Sequence, residues 1–330
     1  MDALQKLLFP RANVRGETVV LGDALEQAVV NQNLPVVARR LAGEMAAAAL
    51  LTAGALQFDG TVALQIEGDG PVRRALAEVR PGYAFRVMVE LAADTDPVKL
   101  DPNAKLKELV NVSGRGRCAF ILDRAHRPAD EAPYQGVVAL EGDTLAQALE
   151  NYFRHSEQVD TKLVLAADDK TAGGVFLQKM PAEGGKLPAD YDPEGWQRLT
   201  MFAGTVKSAE LLTLSPEDIN RRLFWEESPL VTHEAAPHFA CTCSKARFDD
   251  LVRSLGREEV EAIIREKGAL DVACRFCGAK AHYDAIDAAA LHAGRADAEG
   301  ITFVLSETKN AHQRRGDVSA PFVLPEAPIY

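Results

Sequence analysis

The sequence is short of several things, and each shortage removes a class of function. Basic residues are scarce: 37 Lys and Arg stand against 48 Asp and Glu, for a net charge of −11 and a pI near 5.2. A surface that must neutralise phosphates carries an excess of Lys and Arg, so this balance argues against a nucleic-acid partner, as does the lack of a basic patch interleaved with aromatics. Long apolar runs are missing too. The most apolar stretch, Met45 to Leu56, is too short to span a bilayer and follows Arg39, Arg40 and Glu44. The N-terminus has no basic segment followed by an apolar run of signal length. The expectation is a cytoplasmic protein with no membrane partner. Phosphate-loop signatures are absent. Gly68 and Gly70 imitate a dinucleotide loop, but the third glycine is missing and a strand replaces the helix that should follow. His233-Glu234 leads into Ala-Ala-Pro237 rather than a second histidine, and no deaminase signature occurs. These absences argue against the hydrolase and deaminase readings.

Cysteine is also rare, with five in 330 residues, and the placement of four of them organises the rest. Cys241 and Cys243 form one close pair, and Cys274 and Cys277 another after an interval of 30 residues. Each pair can present its thiolates to one point, and four sulfurs close the shell of a tetrahedral Zn²⁺. Gly278 stands where the second pair needs the backbone to turn. In a reducing compartment such pairs favour metal over permanent disulfides. The expected cofactor is one Zn²⁺ per chain, held by Cys241, Cys243, Cys274 and Cys277. His238 and His282 are read as non-ligands because the shell is already full. Lys245, Arg247, Arg275 and Lys280 flank the cysteines and can offset the thiolate charge. Cys118, alone in a strand, is given no role. Spacing alone leaves a purely structural zinc ribbon, or a nucleic-acid-binding one, open.

With 47 % hydrophobic and 26 % charged residues, the chain is an ordinary globular one, long enough for two or three domains. A strand and short helix are expected over Thr18–Val30, then a long buried helix over Val36–Leu56. Alternation predicts strands at Thr61–Glu67, Val72–Val79 and Ala84–Leu91, and further strands near Arg117–Asp123 and Tyr134–Leu140. Asp143 is the expected N-cap of a helix with Leu145, Leu149, Tyr152 and Phe153 on its apolar face. Strands over Thr161–Ala167 and Gly174–Met180 complete a mixed α/β N-terminal domain with antiparallel strands, residues 1–180. Residues 181–230 read as a helical linker. Leu199, Phe202, Val206 and Ala209 line one of its faces, and Ser215 with Pro216 opens its last helix. Having apolar faces but no sheet, these helices must lie on a neighbour. In the small zinc domain, 231–294, Ser244 can cap a helix that carries Phe248, Leu251, Val252 and Leu255 and ends at Gly256, and Val260, Ile263 and Ile264 mark a second helix closed by Gly268. The domain's thin core leaves much of the folding free energy to the metal. In the extension 295–330, Ile301–Leu305 could pair as a strand, Thr308–Gly316 looks solvated and the Pro-rich end disordered. The fold class is α+β, multidomain.

The stretches Leu56-Gln-Phe-Asp-Gly60, Gln65-Ile-Glu-Gly-Asp-Gly-Pro71, Tyr134-Gln-Gly136, Leu140-Glu-Gly-Asp-Thr-Leu145, Tyr152-Phe-Arg-His-Ser-Glu-Gln158 and Arg222-Leu-Phe-Trp-Glu-Glu227, with the two cysteine pairs, resemble the redox-regulated holdase family, heat-shock protein thirty-three. The resemblance runs from about Gly16 to Ala293. It implies an ATP-independent chaperone, inactive while reduced and zinc-bound. Oxidation would join Cys241 to Cys243 and Cys274 to Cys277, release zinc, loosen the linker and let the protein dimerise and hold unfolding client proteins. Reduction would pass these clients to ATP-dependent foldase chaperones. The client-binding residues are not legible. The Cys274 pair is expected to oxidise first, because its two-residue spacer closes a disulfide with less distortion. The tail past about residue 295 departs from the family pattern.

Overall fold

The computed structural model describes residues 1–293 apart from 57, 129 and 182–186, so the expectations for the tail lie outside the described residues. The chain divides into two units, Met1–Ala240 and a second beginning at Cys241. The first unit holds, in order, β1 (Ala3–Phe9), β2 (Val14–Leu21), α1 (Asp23–Val29), α2 (Val36–Leu56), β3 (Gly60–Glu67), β4 (Val72–Arg80), β5 (Ala84–Leu91), α3 (Leu106–Val110), β6 (Arg117–Arg124), β7 (Tyr134–Ala139), α4 (Leu145–His155), β8 (Thr161–Ala167), β9 (Ala172–Lys179), α5 (Gly195–Thr205), α6 (Ser208–Thr213), α7 (Pro216–Phe224), β10 (Leu230–Ala235) and β11 (His238–Phe239). The second holds α8 (Lys245–Leu255), α9 (Arg257–Lys267), β12 (Leu270–Ala273), β13 (Lys280–Tyr283) and α10 (Ala285–Ala293). This is the expected α+β class.

Helix α2 is the axis of the first unit. A surface helix buries one stripe, but here 15 of 21 residues are buried, so the helix is covered on nearly every side. One side packs on β2, β8 and β9, the other on β3, β4 and β5. The alanines at 46–49 keep the helix slim enough for two sheets to close on it. Gly43 is required there, because a Cβ would stand 2.8 Å from that of Ala167.

The first sheet runs β10-β1-β2-β9-β8 and the second β11-β5-β4-β3-β6-β7. All pairings are antiparallel except the short parallel one between β11 and β5. In the first sheet Val19 and Leu21 face α2, while Val14 and Val20 face outwards to a second core. Both faces of β2 are therefore covered, and the strand reads as one apolar run without clean alternation. The outer core is closed by α5, α6 and α7, which contribute Leu199, Ala203, Leu211, Ile219 and Phe224 against Leu7, Phe9, Val14 and Val20. The Phe224 and Phe9 rings meet edge-on at 5.2 Å. Ser215 caps α7 by accepting from the amide of Asp218, and Pro216 occupies its first position.

Four departures from the sequence reading have local causes. Strand β1 was not expected: Leu4 packs inwards while Leu7 and Phe9 pack outwards, which blurs the period. Strand β10 has no buried residue and gives no hydrophobic signal. Strand β11 is two residues long. The N-cap of α4 is Thr144, whose hydroxyl accepts from the amide of Gln147, while the amide of Asp143 donates to the Gln147 side chain.

The second unit has a core of Val252, Val260, Ile264, Leu270, Tyr283 and Ala288. Gly256 and Gly268 stop α8 and α9 with φ of 83° and 85°, angles that glycine adopts without strain. Among the described residues no helix is long and apolar enough to cross a membrane.

Candidate metal centre

Each cysteine is placed by a short local device. Cys241 follows directly on Ala240, whose amide donates to the Phe85 carbonyl and whose carbonyl accepts from Arg80. Cys243 precedes Ser244, the N-cap of α8, which accepts from the amide of Arg247. Cys274 follows the end of β12. Its amide donates to the Ala279 carbonyl and its carbonyl accepts from Gly278, each at 2.8 Å, so the Cys274–Ala279 turn is closed from both sides. Gly278 sits at φ 72°, as the turn requires.

These devices bring the four sulfurs within 4.8 Å of one another. Cys241 Sγ lies 3.6 Å from Cys274 Sγ, and Cys243 Sγ 3.1 Å from Cys277 Sγ. Sulfurs about 2.3 Å from a central tetrahedral ion are about 3.8 Å apart, so the cluster has the size and donor set of a four-thiolate metal site. Among the described residues it is the one cluster of its kind. All four residues are half-buried, and all five cysteines are free thiols.

The thiols influence one another strongly. At Cys241, burial opposes ionisation, but the Cys243 amide and the neighbouring thiols outweigh it and bring the group down to about 7. Burial and the same neighbours push Cys243 up. Cys274 is also raised, mainly by burial, although the amides of Cys277 and Phe276 donate to its sulfur. A cluster that shares protons in this way titrates as a unit, and a cation held at its centre would replace those protons.

Of the basic residues expected to offset the thiolates, Lys245 is occupied elsewhere. It donates to Asp249 at 2.9 Å and lies over the Tyr283 ring, and Tyr283 also donates to Asp249. Arg247 reaches back to the Thr242 hydroxyl between the first two cysteines. His282 faces Asp271 at 2.7 Å, and that carboxylate raises its pKa. His238 lies in β11. Neither histidine belongs to the sulfur cluster. Cys118 is buried in β6, away from solvent, as an apolar neighbour of the α2 core.

A layered domain with helices on one sheet, together with a four-cysteine unit, defines a class, and comparison with known proteins gives the family. The model of the Hsp33 protein family matches residues 2–284, and the chain belongs to that family. It is 37 % identical over 287 residues to a 33 kDa chaperonin of Chromobacterium violaceum, covering 87 % of this chain and 92 % of that protein. It is 35 % identical over 292 residues to a 33 kDa chaperonin of Methylobacillus flagellatus, covering 88 % and 94 %. Among solved structures it is similar in fold to the 33 kDa chaperonin (heat shock protein 33 homolog) of Thermotoga maritima. The TM-score is 0.71 at 22 % identity, over 88 % of this chain and 97 % of that one.

Proposed function

We propose that this protein is a redox-regulated, ATP-independent chaperone holdase rather than an enzyme, held inactive by Zn²⁺ on Cys241, Cys243, Cys274 and Cys277 and working in the cytoplasm. The observation that carries the reading is the sulfur cluster, set in a unit whose own core, among the described residues, is six buried residues. A bound Zn²⁺ would cross-link the start of α8 to the β12–β13 turn and supply folding free energy that this core lacks. The relatives' name, chaperonin, points to unfolding proteins as the partners.

The chain's own residues give oxidation its effect. Two thiols lose two electrons and two protons to one peroxide, forming one disulfide and two waters. Disulfides between Cys241 and Cys243 and between Cys274 and Cys277 leave no thiolate to bind metal. They close very small loops, so they restrict the unfolded chain little and do not replace the lost cross-link. The Cys274 pair should oxidise first and loosen the unit for the second step. Helices α5–α7 in the linker 181–230 then come away and expose Leu199, Leu211, Ile219 and Phe224, all fully buried while docked. That apolar surface would bind clients and join two chains into a dimer, and reduction would hand the clients to ATP-dependent foldases.

The test follows suppression of client aggregation in parallel with zinc release, for reduced and peroxide-treated protein. Release of one Zn²⁺ per chain alongside the onset of activity is expected. Full activity in the reduced, metal-loaded protein would overturn the reading, and salt-dependent RNA binding would favour a nucleic-acid ribbon instead.

A further inference from the structure

The face of the first sheet beneath α7 is apolar apart from one polar row. Thr18 on β2, Gln5 on β1 and Glu234 on β10 are partners across three strands, and α7 sets Asn220 over them. The Thr18 hydroxyl donates to Asn220 Oδ1 at 2.6 Å. Asn220 Nδ2 donates to Gln5 Oε1 at 2.9 Å, and Gln5 Nε2 donates to Glu234 Oε1 at 2.7 Å. Thr18, Asn220 and Gln5 are buried, while Glu234 lies on the exposed strand. We propose that these four side chains are a latch that makes the release of β10 and the undocking of α7 a single event.

The row has one polarity, and its exposed end sets it. An ionised carboxylate only accepts hydrogen bonds, so Gln5 must turn its NH₂ to Glu234. Its oxygen is then left for Asn220, which must turn its own NH₂ to Gln5 and accept from Thr18. If β10 leaves, Gln5 loses its acceptor, and the row is left short of a hydrogen bond under a helix packed by Ile219 and Phe224. A polar group stranded in that position is costly, and lifting α7 to let water in relieves it. In the other direction, lifting α7 removes Asn220 and weakens the hold of Gln5 on β10. Such coupling is reciprocal.

The place of β10 gives the latch its purpose. Among the described residues it is the edge strand of its sheet, paired only with β1. It runs through β11 directly into Cys241, so its far end is tied to the metal ligands. The inference rests on the holdase reading and adds to it the step by which loosening near Cys241 reaches the linker helices.

The test measures hydrogen exchange in the full-length, reduced, zinc-loaded chain. Amides of residues 217–224 and 230–235 are expected to open together in the wild type, with the same denaturant dependence. Glu234→Ala changes an exposed side chain and should speed exchange in both segments by roughly tenfold, with residues 145–155 unchanged. Glu234→Gln keeps an acceptor and should restore the wild-type pattern. Asn220→Leu, at the other end of the row, should speed exchange in β10. Acceleration of β10 alone in Glu234→Ala, or separate opening of the two segments in the wild type, would overturn the latch. Aggregation assays on the same samples judge the holdase reading separately. If peroxide fails to activate the wild type, that reading falls, while the exchange data still decide the latch.

Discussion

Glu17 is buried between the first sheet and α2, 3.9 Å from Lys6 Nζ, and its Oε2 has no hydrogen-bond partner among the described residues. Burial raises its pKa to about 8, with Lys6 and Arg15 pulling the other way. Lys6 itself donates to the Gly54 carbonyl, and Tyr83 is raised by burial and by the Glu17 charge. The folded protein therefore holds a proton here that the unfolded chain releases near the ordinary value of 4.5. Stability contributed at this site is present below that value and is lost as pH rises through about 8. Urea midpoints at pH 5, 7 and 9 should show wild type losing ground to Glu17→Gln as pH increases. A gap that is constant with pH would contradict this titration. Gly54 is tied to the same carboxylate, because a Cβ at that position would fall on it. Gly54→Ala should cost about 1–3 kcal/mol, measurable by the same denaturation. Cys118 makes a third case. Burial pushes its thiol up to about 12, so alkylation at pH 8 should label it only after denaturation, as peptide mass spectrometry would show. No sequence signal separated Glu17 from an ordinary surface carboxylate. Its burial comes from β2 being covered on both sides, a property of the assembled layers rather than of the strand.

Among the elements, α7 carries the most consequence for its length. Phe224 is fully buried and stacks edge-on against Phe9, so Phe224→Ala should cost about 3–5 kcal/mol in urea unfolding. Under the holdase reading the variant should also suppress client aggregation in reducing buffer, without oxidant. The apolar face and the Ser215–Pro216 start of this helix were legible because both are local. Helix α2 was legible for the same reason, since its apolar residues cover more than one face and its length is continuous. The row beneath α7 was not legible. Gln5 and Asn220 are polar residues that a pattern assigns to solvent, and they meet across 215 residues of chain. Strand β10 was invisible because its identity lies in backbone pairing with β1 and not in its side chains. The cysteine cluster was the easiest feature to read, because four thiols in two short segments leave little freedom in how they meet.

For the whole molecule, the contrast lies between a unit with a large core and one with a small core. If Zn²⁺ occupies the sulfur cluster as proposed, its chelation from the reduced protein should melt residues 241–293, seen as loss of helical circular dichroism and of amide protection there. The protection of β2, β3 and β9 should persist. Cys277→Ser should reproduce that melting without a chelator. Under the holdase reading the protein would work by unfolding in part, and it would then need a place where unfolding stops. Helix α2, enclosed between two sheets, supplies it: no layer can be removed from it without opening the entire first unit. On that reading the unequal cores would give one sequence two very different melting costs, and the step between them would limit how much of the protein a mild oxidant or a few degrees of heat could consume. What would remain beyond that step is a scaffold that could be used again once the thiols were restored.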